Sequence, residues 1–204
     1  MSYKLVPIEE LRAIEMVFPH HLENLKRMIE ADGKIRKPII VDDKYNIVLD
    51  GSHRHIYMVL GNYKYIPVQY VNYEDPNIRV GSHLKHRFLD DGNIKVTKEE
   101  VIYRGLTGIL YPPRTTRHFF PFRKYSINLP LDKIEKGNEL DVSSHIAKVS
   151  LDKEIKHNEN YIREIDEEAE EIENYNVEQS DTRRYLLKQI MMMKNESITD
   201  ISTV

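Results

Sequence analysis

The sequence predicts a mixed α/β (α+β) protein. A compact mixed-sheet core occupies residues 1–76, and a mainly helical C-terminal extension, 77–204, follows it. Three observations lead to this. Strand-like and helix-like runs succeed one another as strand, helix, two strands, helix, strand within roughly 75 residues, too tightly spaced for a doubly wound sheet. The two central strand-like runs are separated only by "DKY", the spacing of a hairpin. Beyond residue 77 the pattern turns helical, most clearly in "VTKEEVIYRGLTGIL".

Taken in order, "YKLVPIEEL" reads as a short strand turning at Pro7. In "PHHLENLKRMIEADG" the residues Leu22, Leu25, Met28 and Ile29 fall on one helical face, and Gly33 stops the helix. "KPIIVDD" and "NIVLDG" are β-rich, Ser52 to about Leu60 is helical and closed by Gly61-Asn62, and "YIPVQYVNY" is a further strand. Pro38 and Pro67 are expected where strands begin, since a missing amide donor is tolerated there. Residues 77–110 are expected to be mainly helical, with Thr97 as N-cap of the clearest helix and Glu100 three residues on. "YPPRTTRHFFPF" is a basic, aromatic, proline-rich loop. "YSINLPLDKIEKGNEL" suggests a strand, a turn and a short amphipathic piece. Residues 150–175 suggest an acidic helix, "RRYLLKQIMMMKN" a last short one, and "ESITDISTV" a loose tail.

A chain of 204 residues buries enough surface, roughly 70% of that of the unfolded chain for a domain near 150 residues, to need neither disulfides nor a structural metal. Cysteine is absent, which excludes thiol redox chemistry, zinc–thiolate sites and disulfide frameworks. The formal net charge of −3 argues against a broadly basic nucleic-acid surface. No apolar run approaches the roughly 20 residues of a membrane span. The N-terminal stretch turns acidic by residue 9 and lacks the apolar core of a signal peptide, so the expected location is the cytoplasm.

The segment "IVLDGSHRH" runs a buried-looking strand into Asp50-Gly51 and opens a helix with polar and basic residues. A helix N-terminus offers unpaired N–H groups and a positive dipole end to an anion. Gly51 permits positive φ and close backbone approach. Arg54 supplies a forked, permanent cation, and His53 a donor that can protonate. Asp50 at the strand end could hold a Mg²⁺ that bridges phosphate oxygens. The same residues equally describe a turn, a Ser52 cap and solvated His and Arg side chains, and His55 is expected to face elsewhere. His20-His21, and His83 with His86, are pairs without a third ligand and make a weak case for a metal.

The stretch "KPIIVDDKYNIVLDGSHRHIYMVLGNYKYIPVQYV", with the leading "LVPIEEL", resembles the nucleotide-binding core of the ParB/sulfiredoxin superfamily, in which a strand–DGxHR–helix unit handles a nucleoside phosphate; the resemblance covers about residues 4–73. The sulfiredoxin branch requires a cysteine in this turn, where Ser52 stands. The chromosome-partitioning branch has a double-arginine box and a helix-turn-helix, and this chain shows one arginine and no such motif. The free-serine kinase branch is similar in two further places. "RAIEMVFP" puts Glu15 between the first strand and first helix, where these kinases have an essential glutamate. "YPPRTTRHFF" is similar to their C-terminal loop, which folds over the active site. The commonest family form has His or Val at the position of Ser52.

The resemblance implies a kinase that phosphorylates free L-serine to O-phosphoserine from ADP or ATP with Mg²⁺, in the service of cysteine or other serine-derived biosynthesis. Glu15 would be the base or the residue aligning the hydroxyl, and Asp50 the Mg²⁺ partner or second carboxylate. Gly51, Ser52, His53 and Arg54 would cradle the phosphates. Arg114, Thr115, Thr116, Arg117 and His118, in a loop at 111–122 stiffened by Pro112 and Pro113, would clamp a carboxylate or phosphate. The expected partners are nucleotide and a free amino acid, with neither nucleic acid nor membrane. Two other readings stand beside it: a ParB-like nucleotide-responsive DNA-binding regulator, and a nucleotide-binding module without catalysis.

Overall fold

The computed structural model describes residues 3–82, 96–122, 124–159 and 163. The chain divides into two compact units, Met1–Lys148 and Val149–Val204. In the second, residues 151–159 are helical. The remainder of the expected acidic helix and the stretches "RRYLLKQIMMMKN" and "ESITDISTV" lie outside the described residues, as do His83 and His86. Among the described residues no helix is long and apolar enough to cross a membrane.

The first unit is built on a four-stranded sheet from β1 (Lys4–Pro7), β3 (Ile39–Asp42), β4 (Val48–Asp50) and β5 (Tyr65–Val71), in the order β1-β5-β3-β4. β3 and β5 run parallel (Ile39 opposite Val68), whereas β1–β5 and β3–β4 are antiparallel, so the sheet is mixed as the spacing predicted. The hairpin β3–β4 carries a register irregularity between Ile40 and Val41. Helix α1 (Pro19–Asp32) ends at Gly33, whose φ of 68° supplies the left-handed stop. Helix α2 (Ser52–Leu60) follows β4 directly. Pro38 immediately precedes β3. Pro67, expected at a strand start, lies inside β5, one residue before Val68, where pairing with β3 starts, so its missing donor costs that pairing nothing.

Alternation along the strands assigns residues to two apolar layers. Ile39, Val41, Val48 and Val68 join Leu22 and Ile29 of α1 and Ile56 and Val59 of α2 on one face. Ile40, Ile47, Leu49 and Val71 face the other way, with Ile14, Tyr73, Val101, Tyr111 and Phe120. Ile39, Ile40 and Val41 of β3 are therefore all buried, and each such aliphatic side chain contributes about 1.5–3 kcal/mol of hydrophobic stabilisation.

The second layer corrects the expected boundary at 76/77. Val101, Tyr111 and Phe120 complete a core with residues of the first 76, so the chain divides only after Lys148. Residues 77–110 are not uniformly helical either. Arg79–Ser82 forms strand β6, paired antiparallel with β7 (Thr116–Phe119), which lies in the segment read from sequence as a loop. Helix α3 (Lys98–Thr107) forms as predicted, with Thr97 Oγ1 accepting from the Glu100 amide at 3.2 Å. The short β2 (Lys34–Ile35) pairs with β8 (Leu129–Pro130), which leads into a 3₁₀ turn at Leu131–Lys133.

Candidate active site

After a 3₁₀ turn at Ile8–Glu10, the chain leading to α1 is joined to its neighbours by isolated bridges: Arg12 with Ile47, Glu15 with Tyr111, and Val17 with Ile146. The Tyr111 amide donates to the Ile14 carbonyl at 2.7 Å and the Met16 amide to the Tyr111 carbonyl at 2.9 Å. Tyr111 is in turn fully buried beneath the Arg104 guanidinium, 4.0 Å from its ring centre, while Arg104 Nη1 donates to the Leu110 carbonyl at 3.2 Å. These contacts fix the backbone on either side of Glu15.

The Glu15 side chain is 6% exposed and enclosed by the turn after Pro113. Oε1 accepts from the Arg114 amide at 2.6 Å, and Oε2 accepts from both the amide and the hydroxyl of Thr116, each at 2.8 Å. Arg114 reaches this position with a left-handed φ of 56°. Burial disfavours the charged carboxylate more than the Thr116 and Arg114 hydrogen bonds favour it, so its pKa is raised from 4.5 to about 7. A carboxylate half-ionised near neutral pH is equipped to accept a proton.

A second cluster forms where β4 meets α2. Gly51 is the N-cap of α2 with φ 94°. A Cβ there would lie 2.7 Å from both Arg54 Nη2 and Ile39 Cγ2, so the position requires glycine for conformation and for space. The cap makes no side-chain hydrogen bond, so Ser52 is the first helical residue rather than a cap, and the first-turn amides carry no side-chain acceptor from the cap position. Asp50 accepts from Arg54 Nη2 at 3.0 Å on Oδ2 and from Lys124 Nζ at 2.7 Å on Oδ1. Burial by itself would raise the Asp50 carboxyl, but the Lys124 and Arg54 charges outweigh it and hold the carboxyl well below the usual carboxylate range.

Several predicted site residues have other roles than expected. His53 Nε2 accepts the Phe18 amide at 3.1 Å, and its ring stands edge-on to His21 at 4.2 Å. Burial, then the charges of His21, Arg114 and Arg54, hold it well below its ordinary pKa, so the ring is neutral, with Nδ1 as its donor. It positions α1 against α2 rather than offering a cation to phosphate. Thr115 is fully buried, its hydroxyl donating to the Pro112 carbonyl at 2.8 Å, which makes it part of the turn and not a ligand. Arg117 is buried with its guanidinium 4.7 Å over Phe119. His118 Nε2 lies 2.9 Å from the Tyr73 hydroxyl, and burial pushes the ring down to about 3 despite the neighbouring Asp50. Of the predicted clamp, the Arg114 amide and Thr116 are the groups brought onto Glu15. His55 faces away, as expected; it is buried and pushed down to about 4 by that burial and then by His145.

Asp50, expected to hold Mg²⁺, is paired with two cationic side chains, Arg54 on Oδ2 and Lys124 on Oδ1. Among the described residues no group of three or more His, Asp or Glu could hold a metal ion. The described residues therefore do not by themselves form such a cluster for Mg²⁺. Lys124, which the sequence reading did not single out, joins this cluster from 74 positions away.

No family model matches the chain. Over 83 residues it is 35% identical to an ATP-dependent L-serine kinase, SbnI, of Staphylococcus aureus, the match covering 39% of this chain and 33% of the relative. Over 81 residues it is 32% identical to an ATP-dependent L-serine kinase of Staphylothermus marinus, covering 37% and 32%. The chain thus spans about a third of the length of these curated relatives. In structure it is similar to a free serine kinase in complex with AMP, with a TM-score of 0.57 and 16% identity, over 66% of this chain and 94% of that one. The fold is therefore the compact α+β fold of the solved free serine kinases.

Proposed function

We propose that this chain is a free L-serine kinase acting in the cytoplasm, transferring a phosphoryl group from a nucleotide to the serine hydroxyl to give O-phosphoserine. The observation that carries the reading is Glu15: a buried carboxylate, poised at about 7, held by the Arg114 amide and by Thr116. That Arg114, whose amide holds Glu15, and Arg54, in the first turn of α2, both act on His53 supports a site shared by Glu15 and the α2 N-terminus. The names of the relatives favour ATP as donor, and the AMP complex of the structural neighbour supports a nucleotide site in this fold.

In the transfer, a lone pair of the serine oxygen attacks the terminal phosphorus as the bond to the bridging oxygen breaks, and the nucleotide leaves one phosphate shorter. The hydroxyl proton passes to Glu15 Oε1, which accepts the Arg114 amide and has a second lone pair. The amides of the first turn of α2 and the Arg54 guanidinium, of which only Nη2 is used on Asp50, bind phosphate oxygens. Mg²⁺ would arrive carried by the nucleotide phosphates; among the described residues no group of three or more His, Asp or Glu could hold it.

Phosphorus NMR of the purified chain with L-serine, Mg²⁺ and either ATP or ADP tests this and identifies the donor. A phosphoserine signal that the Glu15→Gln variant lacks is the expected result. No signal from folded protein with either nucleotide would overturn the assignment of serine as acceptor.

A further inference from the structure

We propose that Lys124 binds the donor's phosphates beyond the first and so makes the site discriminate by phosphate number; this rests on the nucleotide-dependent reading above. Asp50 carries one negative charge and is paired with two cations, Arg54 at 3.0 Å and Lys124 at 2.7 Å. Arg54 alone would neutralise it. It lies one helical turn from Asp50, an i,i+4 pair rooted in α2. Lys124 arrives from a distant segment and leaves one positive charge in excess at the mouth of the α2 N-terminus. Its ammonium has three donors, of which Asp50 takes one, and its side chain is 27% exposed, so the other two are within reach of an incoming anion. The flexible four-carbon stem, passing with Nζ 5.7 Å from the Phe120 ring centre, lets the head follow a phosphate chain while Asp50 holds it in the site.

The shortage of metal-ligating side chains points the same way. A di- or triphosphate brings three or four negative charges into a site with no group of three His, Asp or Glu among the described residues. The cations that the protein itself brings to Asp50 are Arg54 and Lys124. Arg54 belongs to the helix turn that receives the first phosphate. Lys124, on the opposite oxygen of Asp50, meets those that follow.

Calorimetric titration of AMP, ADP and ATP into the full chain and its Lys124→Met variant, at one Mg²⁺ concentration and without serine, tests the assignment. The expected result is AMP affinity unchanged within about 2-fold, ADP weakened about 10-fold and ATP weakened more, with Lys124→Arg restoring much of the loss. Lys124→Gln, which keeps a donor for Asp50 without the charge, should show the same graded loss and serves if the Met variant does not fold. Equal weakening of all three nucleotides would mean that Lys124 only supports Asp50, and no change would mean that it touches no phosphate; either overturns the proposal and leaves the kinase reading standing. Failure of the unmodified chain to bind any of the three would remove both.

Discussion

Replacement of Glu15 by glutamine gives a stability difference that depends on pH in a defined way. The side chain's pKa rises from 4.5 to about 7 on folding, because burial disfavours its charged form. At about 1.4 kcal/mol per pH unit this is about 3 kcal/mol. The folded state holds the proton more tightly than the unfolded chain, so the contribution is fully present below pH 4.5. It is lost as pH rises and is gone above about 7. Glutamine has no such titration. It does carry an NH₂ group that must face either the Arg114 amide at 2.6 Å or the Thr116 donors at 2.8 Å, leaving a buried N–H unpaired at a constant cost of about 1–3 kcal/mol. The variant is therefore expected to be less stable than the parent at pH 4.5, to close the gap with pH, and to equal or exceed the parent above pH 7. Urea unfolding of both proteins between pH 4.5 and 8.5 measures this, and subtraction cancels the other titrating groups. A difference independent of pH, or one that widens as pH rises, would refute the burial argument. The same ionisation governs the proposed reaction, so kcat should climb with pH through an inflection near 7 and level off above it.

Three further substitutions probe the surroundings. Thr116→Val removes one of the three hydrogen bonds to the Glu15 carboxylate, so the pKa should move further up and the kcat inflection with it, at a stability cost of about 1 kcal/mol; an inflection that stays put would count against the contact. Gly51→Ala forces a Cβ into a φ of 94° and within 2.7 Å of Arg54 Nη2, so both the urea midpoint and nucleotide affinity should fall; unchanged affinity in a destabilised protein would separate Arg54 from the cradle. Gly105→Ala puts a Cβ 2.7 Å from Ile47 Cγ1 and 2.8 Å from Cδ1, and overpacking of this kind costs about 1–3 kcal/mol. Ile47→Val in the same chain should recover part of the loss, and additive effects would place the strain elsewhere.

The core of the fold was legible because its signals are local. Gly33 ends α1, a short turn that includes "DKY" joins β3 to β4, Thr97 caps α3, and the β-rich runs announce their own burial. Strands β6 and β7 were not, because Arg79–Ser82 and Thr116–Phe119 are short and polar and become strands only by pairing with each other across 34 or more positions. The site divides along the same line. Asp50, Gly51 and Arg54 are neighbours in sequence, and their chemistry shows there. The reading of His53 as a phosphate cation failed because its acceptor role depends on the Phe18 amide, 35 positions away. Lys124 escaped notice for a similar reason, and Thr115 looked like a ligand because a buried turn hydroxyl and an exposed one are the same letter in a sequence.

The grip on Glu15 comes from donors 99 and 101 positions further along the chain. Closing so long a loop carries an entropic cost that must be met before these bonds form, so Glu15 is expected to acquire its environment late, after α3 and the β6–β7 ribbon have found their places. Until then Glu15 is an ordinary solvated carboxylate that is ionised at neutral pH. The Arg114 and Thr116 amides therefore mark the maturation of the protein: their protection from hydrogen exchange should appear together, later than that of β3 and β5, and in step with the first turnover.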